Sequence, residues 1–282
     1  MGYQEKLVGV IGDPVDDNPT VVIMQAAFDA AGLPFRYLTI QVKEGDLGAA
    51  IEGMKAMNFT GINVTMPYKK DVIQYLDGVS KAAGIMNAVN CIYYKDGKLF
   101  GENTDGKGFM ESLKNGGTET AGKKALLLGA GGVARAIAVE LAQSGAKKIT
   151  VVNRTAEAGE KLAKTIRENT EADAEFIPFT AGFSIPEDVD ILVNCTPIGF
   201  EDPTKKPDIN YDSVKSSMTV CDVIPNTAET LFLAQAKKRG CKTFFGLEML
   251  VYQAVLGYEF WTGESPDVEV MIKAIKDEYG IN

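Results

Sequence analysis

The chain has 282 residues, a formal net charge of −9 and no histidine. That length admits one or two domains of ordinary size, and the acidic balance excludes a global basic face for nucleic acid. Without histidine, Ser-His-Asp hydrolysis, His-paired thiol chemistry and His-based metal sites are excluded, so proton transfer near neutral pH falls to Lys, Asp, Glu, Tyr or Cys.

KLVGVIG (6–12) reads as a short apolar strand ending in a Gly-Asp-Pro turn. From Thr20, apolar residues at Val21, Met24, Phe28 and Ala31 have helical spacing, with Gly32 as the stop. A strand (35–42), a helix (46–57) and a strand (60–66) follow, an alternation that predicts a parallel α/β sheet. DVIQYLD (71–77) is predicted helical; AVNCIYY and KLFGENT flank a Lys-Asp-Gly turn, and GKGFMESLKNGG (106–117) is predicted as a helix. A second α/β unit opens at 123–155 and continues through strands near 189–199 and 218–224, a helix ending at Gly240 and a strand CKTFFG. The tail is helical. The expected division is 1–104, 105–245 and a C-terminal helical segment, 246–282, that returns to the first domain. No apolar run approaches the roughly 20 residues of a membrane helix. The four cysteines lack metal or C-x-x-C spacing, so a cytoplasmic protein with reduced thiols, without membrane or nucleic-acid partners, is expected.

KALLLGAGGVARAIA carries Gly129, Gly131 and Ala134 in G-x-G-x-x-A order between a predicted strand and helix. The first glycine permits the tight turn, the second lets a pyrophosphate approach the backbone, and the helix N-terminus attracts the phosphates. The next strand ends in Asn153-Arg154-Thr155. An acid there would hold a ribose 2′-hydroxyl. Arg154 instead suits a 2′-phosphate, which predicts NADP over NAD. GINVTMPYKK puts Asn63 and Thr65 on one side of a strand end, with Lys69 just past Pro67. GENTDGKGF adds Asp105, and a lysine and an aspartate on two convergent loops form a candidate proton-transfer pair.

Together these stretches resemble the shikimate dehydrogenase family, including its quinate/shikimate branch. NVTMPYKK, GENTDGKGF, LLLGAGGVARA, NRT, NCTPIG and MLVYQA match that family's motifs in order along nearly the whole chain. The resemblance implies a substrate domain, a Rossmann NADP domain and terminal helices packed on the former. It also implies reversible NADP-dependent reduction of 3-dehydroshikimate to shikimate, a step toward chorismate and the aromatic amino acids. Lys69 becomes the catalytic lysine and Asp105 its partner, expected mainly to orient and bind. Asn63, Thr65, Asn90 and Gln253 become ligands of substrate hydroxyls. Cofactor contacts are implied at Gly129, Ala130, Gly131, Gly132, Val133, Asn153, Arg154, Thr155, Thr196, Pro197, Val223 and Gly246. A monomer or homodimer acting on a small cyclic hydroxy-acid is expected.

The first motif departs from the family's pattern. The two serines that grip the substrate carboxylate become Asn18 and Thr20, near Asp16 and Asp17, and a site-lining tyrosine becomes Pro225. Asn and Thr still donate hydrogen bonds. A paralogue acting on quinate, an amino-shikimate or another cyclic hydroxy-acid therefore stays open, as does a non-catalytic NADP-binding regulator. A folate dehydrogenase fits GENTDGKGF and MLVYQA less well. Gly106, Gly108 and Gly246 are candidate hinge points by backbone freedom.

Overall fold

The computed structural model describes residues 4–281. They form two compact α/β units, one taking the chain up to Thr104 and again Gln253–Gly280, the other Asp105–Tyr252. None of the described helices is long and apolar enough to cross a membrane.

The first unit contains β1 (Lys6–Gly12), α1 (Thr20–Ala30), β2 (Phe35–Gln41), α2 (Leu47–Ala56) and β3 (Gly61–Val64). A single 3₁₀ turn at Asp71–Tyr75 stands where a helix was predicted; β4 (Gly78–Val79), α3 (Lys81–Met86), β5 (Cys91–Lys95) and β6 (Lys98–Glu102) follow. Its sheet runs β2-β1-β3-β5-β6-β4. The predicted parallel order holds for β2, β1 and β3. It stops at β5, which runs antiparallel to both β3 and β6. Asp96 and Gly97, with φ of 51° and 73°, make the tight turn of the β5–β6 hairpin, whereas the reversal against β3 is a pairing across about thirty residues of sequence. On α1 the buried stripe is Thr20, Ile23, Met24, Ala27 and Phe28, rotated from the predicted one, so Val21 is half-buried and Ala31 exposed.

The C-terminal helices are α8 (Gly246–Thr262) and α9 (Val268–Tyr279). The later part of α8 packs on this first sheet. Tyr258 stacks on Phe28 at 5.1 Å between ring centroids, and Trp261 Nε1 donates to the Ile92 carbonyl at 3.0 Å. That contact needs Gly61: a Cβ there would lie 2.0 Å from Trp261 Nε1 and 2.5 Å from the Ile92 oxygen. Gly61→Ala is expected to cost about 1–3 kcal/mol as overpacking and to lower the melting temperature by several degrees. An unchanged thermal midpoint would show that the indole is not locked there.

The second unit contains α4 (Thr104–Asn115, its first residue counted with the other unit), β7 (Lys124–Leu128), α5 (Gly132–Gln143), β8 (Lys148–Asn153) and α6 (Ala156–Asn169). It continues with β9 (Asp173–Pro178), β10 (Phe183–Ser184), β11 (Ile191–Asn194), β12 (Ile209–Asn210), β13 (Thr219–Asp222), α7 (Leu231–Lys237) and β14 (Lys242–Phe244). The main sheet, β14-β13-β11-β7-β8-β9, is parallel throughout. The order reverses between β7 and β11, which is the doubly wound dinucleotide-binding topology and its switch point. Gly106 lies inside α4, not in a hinge: a Cβ there would be 2.4 Å from the Ala136 carbonyl oxygen. At Gly246 it would be 2.2 Å from the Val223 oxygen. Close backbone approach, not backbone freedom, accounts for both glycines.

Candidate active site

At the switch point of the second unit, the turns after β7, β8 and β11 enclose a cavity of about 250 Å³. Gly129, Ala130, Gly131, Asn153 and Arg154 line it, together with Thr196 and Pro197. Gly129 has φ +111°, and a Cβ would press on the Cys195 carbonyl at 3.2 Å, so the fold itself demands this glycine. Gly131 and Gly132 differ, because a Cβ on either would meet nothing within 4 Å. Packing does not require them, whereas a phosphate resting on the N-terminus of α5 does. The chain's own residues therefore fit a dinucleotide.

Arg154 is exposed at the rim and forms no ion pair with a carboxylate among the described residues. Asn153 Nδ2 donates to the Thr155 carbonyl at 2.9 Å, which fixes the turn that carries the arginine. The cavity walls also include Phe179, Cys195, Ile198 and Pro207, which the sequence reading did not single out. Phe179 and Cys195 directly follow β9 and β11, and the rule that ligands sit beyond the carboxyl ends of strands points to such positions. Burial pushes the Cys195 thiol well up, so it lines the wall as a neutral group. Gly132, Val133, Thr155, Val223 and Gly246 do not line this cavity. Gly132 and Val133 begin α5 and Thr155 precedes α6, while Val223 and Gly246 pack on each other beside β13.

The turn after β11 is held from below. Thr196 Oγ1 donates to Asn194 Oδ1 at 2.6 Å, and Asn194 Nδ2 donates to Asp222 Oδ1 at 3.0 Å. Thr230 Oγ1 donates to the other Asp222 oxygen at 2.7 Å. Burial outweighs these donors and pushes the Asp222 carboxyl from an ordinary 3.8 up to about 6. The folded chain thus holds a proton there that the unfolded chain releases near pH 3.8, so Asp222 makes stability fall as pH rises through that window. Asp222→Asn should remove this slope: the variant's melting temperature, relative to wild type, should rise between pH 4 and pH 7. A constant difference would contradict the assignment.

In the first unit the polar strand ends converge. Tyr37 Oη donates to Asn63 Oδ1 at 2.8 Å, and Asn63 Nδ2 donates to the Asn90 carbonyl at 2.9 Å. Asn90 Nδ2 donates to Thr104 Oγ1 at 3.0 Å, while Asn90 Oδ1 accepts from the Thr104 amide at 2.7 Å. Thr104 Oγ1 lies 3.4 Å from Gln253 Oε1. Asn63, Asn90 and Gln253, three of the expected ligands, thus share one buried network with Thr104 and Tyr37. Tyr37 was missed; its signal is the alternation along β2 that turns Phe35 and Tyr37 inward.

Thr65 follows β3, its amide bonded to the Ile11 carbonyl at 2.9 Å, and its methyl fills the place a Cβ on Gly12 would take. Lys69 is half-buried. Its backbone is pinned on both sides, since Tyr68 Oη donates to the Val42 carbonyl at 2.8 Å and the Val89 amide donates to the Lys69 carbonyl at 2.7 Å. Asn18 and Thr20 stand at the start of α1, where the Thr20 amide donates to Asn18 Oδ1 at 3.0 Å. Asp105 lies in the first turn of α4, not in a loop as predicted. An acid is favoured there by the helix dipole, and the preceding Thr104 is anchored by Asn90.

A doubly wound unit with a glycine turn that fits a dinucleotide, joined to a unit presenting a lysine and neutral hydrogen-bonding groups at its strand ends, defines a dinucleotide-dependent oxidoreductase. Family models for the shikimate dehydrogenase substrate-binding domain, shikimate/quinate 5-dehydrogenase and the shikimate 5′-dehydrogenase C-terminal domain match residues 10–92, 111–201 and 246–276. The chain is 41% identical to a shikimate dehydrogenase (NADP(+)) of Desulforamulus reducens, over 94% of this chain and 93% of that protein. It is similar to the crystal structure of ligand-free 5-ketofructose reductase of Gluconobacter sp. strain CHM43 (TM-score 0.95, 45% identity, 98% and 100% of the two chains). It is also similar to that of a shikimate dehydrogenase in complex with NADP+ (TM-score 0.91, 37% identity, 99% and 97%). The chain belongs to the shikimate dehydrogenase family.

Proposed function

We propose that this protein catalyses the NADP-dependent interconversion of 3-dehydroshikimate and shikimate. Two observations carry the reading: one unit has a glycine turn that fits a dinucleotide, and the other has, in the turn after β3, a lysine whose backbone is pinned. Reduced nicotinamide, when bound, would supply the hydride that the ring carbonyl carbon takes up. Lys69 donates the proton that the carbonyl oxygen then needs, and its charge stabilises the developing alkoxide. In oxidation the amine takes that proton back. Asp105 orients the lysine and binds a substrate hydroxyl. Asn63, Thr65, Asn90 and Gln253 receive the other hydroxyls, and the network through Thr104 and Tyr37 holds three of these four in place.

Arg154 would hold the 2′-phosphate of NADP, and the Gly131–Gly132 backbone its pyrophosphate. Val133, Thr155, Val223 and Gly246 are assigned to the surroundings of the bound cofactor, and Asn18 and Thr20 to the substrate. The substrate assigned is a small molecule, and a cytoplasmic setting accords with the four free cysteines. The family likeness extends to a protein named 5-ketofructose reductase, so the same reduction has been fitted on this fold to a ketone of a different kind. Loss of NADPH absorbance at 340 nm on adding 3-dehydroshikimate tests the reading. No oxidation at any substrate concentration would refute it.

A further inference from the structure

Resting on the assignment above of Asn63 to a substrate hydroxyl, we propose that Tyr37 is a positioning residue for the substrate: its hydroxyl locks the Asn63 side chain so that an N–H, not the carbonyl oxygen, is offered to the ligand. The two residues meet by register. β2 and β3 flank β1 on its two sides, with Tyr37 opposite Val8 and Asn63 opposite Val10. Val8 and Val10 are two apart, so all four side chains stand on one face of the sheet. The Tyr37 ring spans the intervening strand and brings Oη to 2.8 Å from Asn63 Oδ1. Packing sets the place of the ring, with Trp261 at 6.2 Å between ring centroids.

The two ends of an asparagine amide are alike in shape and opposite in hydrogen bonding. The Asn90 main-chain carbonyl can only accept, so the end of Asn63 that meets it at 2.9 Å is the NH2 group. That carbonyl also takes the Val64 amide at 2.9 Å. The other end of Asn63, its Oδ1, is thereby turned to Tyr37, and the phenol supplies the proton. Burial holds the Tyr37 phenol well above its ordinary value of 10.0, so it keeps that proton across the neutral range. Tyr37 is 3% exposed and Asn63 6%, so neither contact is shared with bulk water. An amide bonded at one end can swivel about its last side-chain torsion, whereas one bonded at both ends is fixed. The second N–H of Asn63 has no partner among the described residues, which makes it the donor left for a ligand. Such a donor selects an oxygen that accepts, and a substrate hydroxyl bound this way keeps its own proton to give elsewhere.

The test is a double-mutant cycle on the full-length protein, read as steady-state NADPH oxidation with 3-dehydroshikimate. It uses Tyr37→Phe and Asn63→Ala, singly and together, each checked for an unchanged fold by circular dichroism. Tyr37→Phe keeps the ring and its packing and removes only the hydroxyl. It is expected to raise KM for 3-dehydroshikimate about tenfold, with kcat within about threefold of the unaltered protein and KM for NADPH unchanged. In the Asn63→Ala background the same change should raise KM by less than about twofold, because the amide it positions is gone. Three results would overturn the inference while leaving the proposed function standing: a KM for Tyr37→Phe within about twofold of the unaltered protein, a kcat that falls as far as KM rises, or an equal rise in KM in both backgrounds. No oxidation of NADPH by the unaltered protein would overturn both.

Discussion

Lys69→Ala is expected to lower kcat for ketone reduction by about a thousandfold, within the range for losing a positioned general acid. The lysine sits in the turn between β3 and the 3₁₀ turn at Asp71–Tyr75, with Tyr68 anchored to the Val42 carbonyl before it and its own carbonyl held by Val89. Those two contacts run through the backbone and a neighbouring side chain, and circular dichroism of the variant checks that the fold is kept. KM should change much less than kcat, about fivefold or less, because Asn63, Thr65, Asn90 and Gln253 still meet the hydroxyls. Binding of NADPH, followed by its fluorescence, should be unaltered. Steady-state rates at saturating NADPH decide the matter: turnover within roughly threefold of wild type would remove Lys69 from the chemistry.

The second large effect concerns the cofactor. Arg154→Ala should reduce kcat/KM for NADPH by about 10–100-fold, the worth of a two-point, charge-assisted contact to a phosphate. The same variant should leave kcat/KM for NADH nearly unchanged, because the 2′-phosphate is the group that distinguishes the two cofactors. Arg154 is exposed and makes no ion pair with a carboxylate among the described residues, so its removal should cost little stability. Equal losses with both cofactors would mean that the arginine supports the turn rather than reading the phosphate. Equal efficiency of NAD and NADP in the unaltered protein would equally defeat the assignment.

Much of this was legible in the sequence because the signals were local. The glycine turn after β7 announces itself by the spacing of Gly129, Gly131 and Ala134 within an apolar strand and a helix. The polar alternation of Asn63 and Thr65 on an otherwise buried strand marks a strand end with work to do. Non-local features stayed hidden. The Lys-Asp-Gly turn was visible, but not the reversal that makes the first sheet mixed, because strand direction is set by pairing partners. Asp105 was read as a loop residue because glycines flank it; in the fold Gly106 is a packing glycine against α5, and the helix begins earlier. Tyr37 looked like any aromatic strand residue until its hydroxyl was found on Asn63. Helix α6 was left unread although its buried stripe of Gly159, Leu162, Ala163 and Ile166 has helical spacing.

In the proposed reaction a hydrogen passes from the nicotinamide to a ketone carbon while Lys69 protonates the oxygen. Reduction with NADPH deuterated at the transferring C4 position, followed by mass spectrometry of the alcohol, tests this most directly. One deuterium is expected, on the carbinol carbon, and none there when the label is supplied as D2O with ordinary NADPH. An unlabelled carbinol from deuterated cofactor, or a carbon label drawn from solvent, would contradict it.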